Sequence, residues 1–204
     1  MGKGRGAGET LETAISHESL AAEGPDMSTA QLTLVATYRR TIHASLDRIW
    51  ENVRDWEHLP WLHRSSFTSI RLLDQTPTSW RAHISMPPVN APREAVIELQ
   101  LDQPNRRYWS RTLEGQGAGG EILTYLKPFD ERTTDIVVEF RVPSLNAKQA
   151  DTIGAAYLRL YTCLWDEDER MMMRRQELID SHRIGSIPRV LRGRRKRSSV
   201  KNEE

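Results

Sequence analysis

The sequence predicts an α+β domain in which a curved antiparallel sheet wraps around a long C-terminal helix. Three observations carry that fold class. Six segments between residues 67 and 142 show strand-like composition, and their links are too short for helical crossovers, which implies an antiparallel meander. The pattern then turns helical from about Asn146 to Ser181, with Tyr157, Leu160, Leu164, Met171 and Leu178 on one stripe. A strand and a short amphipathic helix precede the meander.

Residues 1–30 are rich in Gly, Ala, Glu and Ser without periodicity, so they are expected to form a disordered N-terminal segment. Leu32 to Ala44 alternates partially and mixes Thr, Val, Tyr and Ile, as a strand does. Ser45 has the chemistry of a helix N-cap, with Asp47 in the first turn and Leu46, Ile49, Trp50 and Val53 as the apolar face. Pro60 is expected to end or kink that helix, and a second short turn should follow through Trp61 and Leu62. The strand segments are Phe67 to Leu73, Ser79 to Ser85, Ala95 to Leu101, Arg107 to Leu113, Gly120 to Leu126 and Thr133 to Val142. Asp74–Pro77, Asp102–Asn105 and Gly115–Gly119 supply turn chemistry between them. Residues 186–204 are expected to form a flexible basic tail around Arg192, Arg194, Arg195, Lys196 and Arg197.

Composition excludes several classes. The 29 Lys+Arg nearly cancel the 28 Asp+Glu, and a net charge of +1 gives no global attraction to nucleic acid or anionic lipid. No stretch approaches the roughly 18 apolar residues that a membrane span requires. The first 24 residues lack the apolar core of a secretory signal. Cys163 is the only cysteine, which excludes an internal disulfide, a cysteine zinc site and an iron–sulfur cluster held within the chain. A reducing cytoplasm is the expected location. Gly115 to Gly120 is not followed by a helix start with Lys-Ser/Thr, so it is read as a hairpin loop rather than a phosphate loop.

The informative segment runs from Glu51 to His63. Asn52, Asp55 and His58 are three apart in turn and would share one side of a helix. His63 follows five residues after His58, and a break at Pro60 would let its imidazole swing back toward the first. Two neutral imidazoles suit a borderline metal such as ferrous iron, and a facial triad then needs one carboxylate. The C-terminal helix offers Asp166, Glu167, Asp168 and Glu169. Asp168 continues the stripe of Tyr157, Leu160 and Leu164, whereas Glu169 continues a second stripe through Tyr161 and Trp165. A carboxylate on an inward stripe needs a partner, and a metal would be one.

The order of strand, two short helices, six strands and long helix resembles the helix-grip fold of the START/SRPBCC superfamily over residues 32–182. That superfamily includes lipid carriers, polyketide cyclases and the catalytic domains of Rieske-type oxygenases. The pattern Asn52-x2-Asp55-x2-His58-x4-His63, with Pro60 two residues after the first histidine, resembles the mononuclear-iron motif of Rieske-type aromatic-ring-hydroxylating oxygenase α subunits. The resemblance implies that His58, His63 and Asp168 bind Fe2+. Asp55 would be the acid that couples the iron to the electron donor, and Asn52 a nearby polar residue. The chain would then be a non-haem iron oxygenase-type catalytic domain acting on a hydrophobic or aromatic small molecule. The Rieske domain's Cys-x-His and Cys-x2-His pairs are absent from this chain, so electrons would come from a separate electron-transfer protein.

A second reading stands beside this one. Asp55-x-Glu57-x-Leu59-Pro60-x-Leu62 also resembles metal-free polyketide cyclases, whose acid and proline shape the bend between two short helices. The histidines would then be incidental, and Asp166 to Glu169 would be a solvated face paired with Arg170, Arg174 and Arg175. Trp61, Trp80, Tyr108, Trp109 and Trp165 would line or frame an apolar interior cavity for a hydrophobic ligand. Met171 to Met173 are read as core filler or cavity wall, and His43, His83 and His182 have no ligand-like spacing.

Overall fold

The computed structural model describes residues 32–143 and 146–182, so the segments 1–30 and 186–204 lie outside the described residues. The described chain runs β1 (Leu32–Ile42), α1 (Leu46–Arg54), a 3₁₀ turn (Trp56–His58), α2 (Leu59–Leu62) and β2 (Ser69–Thr76). It continues through β3 (Ser79–Met86), β4 (Arg93–Asp102), β5 (Arg107–Gly115), β6 (Glu121–Pro128), β7 (Thr134–Pro143) and α3 (Ala147–Asp180). All seven strands form one antiparallel sheet in the order β1-β7-β6-β5-β4-β3-β2. This is the α+β helix-grip architecture that the sequence implies.

The alternation of side chains decides which face is buried. Along β7, Thr134, Ile136, Val138, Phe140 and Val142 are buried and the residues between them only partly so. The register places Leu126 beside Ile136, Thr124 beside Val138 and Ile122 beside Phe140, so these side chains share the inner face. Tyr108 lies opposite Thr124 on the next strand and belongs to the same face. The adjacent Trp109 therefore points the other way, toward Arg107, whose guanidinium lies 6.0 Å from its ring. Of the aromatic residues expected to frame the interior, Trp80 and Trp165 are buried there and Tyr108 is partly so. Trp61 is 73% exposed.

α3 begins with a capping box. The Asn146 side chain accepts from the Gln149 N–H, and the Gln149 side chain accepts from the Asn146 N–H. The helix then crosses β1 so closely at Gly154 that a Cβ there would sit 2.3 Å from the Val35 carbonyl oxygen. β1 is irregular at the same place, where its register with β7 shifts between Leu34 and Ala36. Further along α3, Phe140 stacks on Tyr157 with centroids 4.7 Å apart and meets the edge of Tyr161 at 4.6 Å. Met172 is fully buried, Met171 packs on the core and Met173 is largely exposed, which fits filler rather than a cofactor box.

Candidate metal centre

α1 forms as its sequence suggests. The Ser45 side chain accepts from the Arg48 N–H, and Ile49, Trp50, Asn52 and Val53 are buried. The helix does not run on to Pro60. It stops at Arg54, and Asp55 turns the chain with φ −82° and ψ 80°. Pro60 lies in the first turn of α2, where its missing N–H would have no intrahelical partner anyway. The bend thus comes five residues earlier than expected, and Asn52, Asp55 and His58 do not share one straight helix. The outcome for the histidines is the one anticipated, by another route. His58 and His63 flank the two ends of α2, and their ring centroids lie 5.3 Å apart.

α3 supplies the carboxylates. His63 is almost fully buried, with Nε2 3.1 Å from Asp168 Oδ1 and Nδ1 2.7 Å from Glu167 Oε2. His58 Nε2 lies 3.5 Å from the same Asp168 oxygen, and its Nδ1 bonds the Asp55 carbonyl oxygen. A carbonyl only accepts, so His58 Nδ1 carries a proton, and in the neutral ring Nε2 holds a lone pair. The same reasoning applies to His63 beside Glu167. Both lone pairs then face the carboxylate oxygen of Asp168. Neither His58 Nε2 nor Asp168 Oδ1 has an aligned hydrogen-bond partner among the described residues, and both are buried. Three electron-pair donors aimed at one another repel unless a cation or proton lies between them. The ligand atoms of His58, His63 and Asp168 all fall within 4.8 Å of one another.

The spacing suits a metal. With ligand bonds of about 2.1 Å, two ligands at a right angle lie roughly 3.0 Å apart and two at a tetrahedral angle roughly 3.4 Å. The approaches of 3.1 and 3.5 Å match that range. The electrostatics differ between the two rings. Burial, reinforced by His63, pushes the His58 pKa down despite Asp168. Burial also opposes a charge on His63, but Asp168 and Glu167 outweigh it and raise that pKa.

Other residues fall less neatly. Asn52 is buried on α1 with its Oδ1 unpartnered. Asp55 is exposed and meets His58 through its backbone carbonyl rather than its carboxylate. Glu169 is not an alternative third ligand. Its carboxylate accepts from the His43 backbone N–H at 2.7 Å, meets the His43 ring and pairs with Arg40, while Arg40 also holds Asp166. The four acids therefore divide by helical direction: Glu167 and Asp168 face the histidines, and Asp166 and Glu169 face β1. Sequence reasoning missed Glu167 as the partner of His63. The signal was available, because a metal-bound imidazole usually donates its other N–H to a carboxylate.

The Glu169 arrangement has a pH consequence. Burial alone would raise its pKa, yet the His43 hydrogen bonds and Arg40 outweigh that and depress it below its ordinary 4.5. A depressed carboxylate stabilises the fold fully above pH 4.5 and loses that contribution as pH falls through the folded value. Glu169→Gln is therefore expected to melt below the wild type at pH 7, and the gap should close by pH 3. A gap that persists unchanged in acid would show that the carboxylate charge is not what matters.

Two cavities of about 380 and 350 Å³ lie beside α3. The first is lined by Arg40, His43, Asp166 and Glu169, the second by His43, Arg48, Arg132 and Met172 among others. Neither touches His58, His63 or Asp168. Among the described residues no helix is long and apolar enough to cross a membrane.

No family model and no curated protein matches this sequence. Solved structures do. The chain is similar to the Zhui aromatase/cyclase from Streptomyces sp. R1128, with a TM-score of 0.60 at 14% identity over 72% of this chain and 96% of that one. It is similar to a START superfamily protein from Mycobacterium smegmatis, with a TM-score of 0.55 at 13% identity over 67% and 97%. A norcoclaurine synthase from Thalictrum flavum, solved with dopamine and hydroxybenzaldehyde, gives 0.54 at 15% identity over 82% and 98%.

Proposed function

We propose that this helix-grip domain is a non-haem iron oxygenase-type catalytic domain for a hydrophobic or aromatic small molecule, with electrons delivered by a separate protein. The observation that supports it is the convergence of three buried donor atoms from His58, His63 and Asp168 with no hydrogen-bond donor aligned between them. His58, His63 and Asp168 would hold ferrous iron, and the chemistry it would supply is dioxygen activation. The chain's own residues have defined tasks. Glu167 and the Asp55 carbonyl fix the imidazole tautomers so that both Nε2 atoms stay free to ligate. Asp168 adds the negative charge that a divalent cation requires. Trp50, Trp80 and Trp165 are buried in the same hydrophobic core, and apolar burial of this kind would exclude bulk water.

The fold relatives favour a second reading, a metal-free hydrophobic-ligand-binding protein or a polyketide cyclase-like enzyme. The aromatase/cyclase and the norcoclaurine synthase share the fold at low identity. Metal analysis of protein purified without oxygen separates the two. The expected result is about one iron per chain, removed by a chelator. Iron-free protein that binds an apolar ligand equally well with chelator present would establish the second reading instead.

A further inference from the structure

Charged residues are rarely buried on the inner face of a sheet unless they are paired. Arg40 is such a residue. It shares the inward face of β1 with Tyr38 and Ile42 and stands opposite Ile136 in the register with β7. Its side chain is only 25% exposed. The guanidinium reaches α3 at two points: Nη1 bonds Asp166 and Nη2 bonds Glu169. Nη1 also approaches the Tyr38 hydroxyl at 3.5 Å. Asp166 is half exposed, whereas Glu169 is buried and held a second time by the backbone N–H and ring of His43. A planar fork bonded to two carboxylates three residues apart fixes direction as well as distance.

Direction is what the two histidines require of α3. Successive helical residues lie about 100° apart around the axis, so the mean direction of Asp166 and Glu169 is about 180° from that of Glu167 and Asp168. Arg40 therefore grips α3 on the side opposite the one that meets His58 and His63. A donor oxygen about 5 Å from the helix axis moves roughly 0.9 Å when the helix turns by about 10°. A set of converging ligands tolerates about 0.5 Å. Other close contacts of α3 lie further along it. Gly154 meets Val35 about 21 Å from Asp168 toward the N-terminus, and Arg175 bonds Glu51 about 10 Å toward the C-terminus. Trp165 and Met172 press the same stretch into the core, but apolar contact is not directional.

We propose, resting on the metal centre described above, that Arg40 is a positioning residue for it. By holding Asp166 and Glu169 on the far side of α3, it sets the rotation of the helix and so aims Asp168 at the two imidazoles and Glu167 at His63 Nδ1. Arg40 touches no ligand atom; it acts through the helix. The fork geometry, rather than the positive charge, is what the centre depends on. By charge alone a nearby cation opposes a divalent metal.

The test titrates the full-length chain with Co2+ in place of Fe2+ and reads both the affinity and the visible absorption of the bound ion, which reports ligand geometry. Two variants keep the local net charge unchanged. Arg40→Lys retains the cation but cannot bond both carboxylates as a planar fork. Arg40→Met combined with Glu169→Gln removes both charges at once, so no buried carboxylate is left unpaired, and the amide oxygen still accepts from the His43 N–H. Each is expected to weaken Co2+ binding by about ten- to a hundredfold and to change the absorption bands, with circular dichroism unchanged. A role confined to stability would lower the melting temperature of the metal-free variants and leave affinity and spectrum alone. Binding within about twofold of wild type in both variants, with the same bands, therefore overturns the proposal while the metal centre stands. Weakening in the double variant but not in Arg40→Lys also overturns it, because a cation of any shape would then suffice. A wild-type chain that takes up neither Co2+ nor Fe2+ removes the metal centre itself, and this role of Arg40 with it.

Discussion

Asp168→Ala is expected to reduce iron from about one per chain to less than about a tenth, with the helical and strand content unchanged. Asp168 carries the only negative charge among the three converging ligands, and its Oδ1 is the atom both imidazoles approach. Removing it leaves two neutral nitrogens, which hold a labile divalent metal poorly. The fold should tolerate the change because the carboxylate bonds no structural donor in an aligned way. His58→Ala should have the same effect on iron. Glu167→Gln is expected to be milder, weakening iron by roughly ten- to a hundredfold, since an amide oxygen still accepts from His63 Nδ1–H but no longer strengthens the imidazole as a ligand. Iron that survives Asp168→Ala and disappears in Glu167→Ala would exchange the roles of the two acids.

Phe140→Ala should cost about 3–5 kcal/mol and lower the melting temperature by roughly 10 °C. Phe140 is fully buried at the centre of β7 and holds two aromatic residues of α3 at once, Tyr157 by stacking and Tyr161 by its edge. No neighbour can collapse into that space without detaching the helix from the sheet. Phe140→Leu, which retains much of the volume, should recover more than half of the loss. A fall under about 3 °C for the alanine variant would mean that α3 is anchored elsewhere.

The strands were legible because each side of the sheet sees a different medium. In β7 the alternation is visible in the residues themselves, and the long helix shows its period through Tyr157, Leu160 and Leu164. The strand ends moved by a few residues, as with β2, which runs to Thr76 rather than stopping at Leu73. The bend before His58 and His63 was harder. Pro60 is the obvious breaker in the sequence, yet it starts a helix, and the turn is made by Asp55, a residue with no strong breaking tendency of its own. The ligand spacing survived that error because both histidines lie beyond the true break. The division of labour among Asp166, Glu167, Asp168 and Glu169 depends on what faces each one. Glu169 meets Arg40 on β1 and His43 just after it, a pairing more than a hundred residues distant that no local pattern discloses. Tyr108 was read as cavity wall and Thr124 received no role, because their pairing across the β5–β6 register becomes visible only when the two strands are in place.

The pairing of β1 with β7 sets a timetable for the nascent chain. Strands β2 to β7 form a meander in which each hairpin can close soon after its second strand leaves the ribosome. β1 is made first but pairs along its length with Thr134 to Pro143, about a hundred residues later. At synthesis rates of 5–20 residues per second it waits roughly 5–20 s for its neighbour. Through that interval its inward side chains, Ala36, Tyr38 and Ile42, have neither β7 nor the long helix to cover them. The domain's vulnerable period is therefore before translation of β7, and a chaperone that holds an extended N-terminal strand would act then. Circular permutation that places β1 directly after β7 would turn this late pairing into one more local hairpin and should speed refolding without altering the finished sheet.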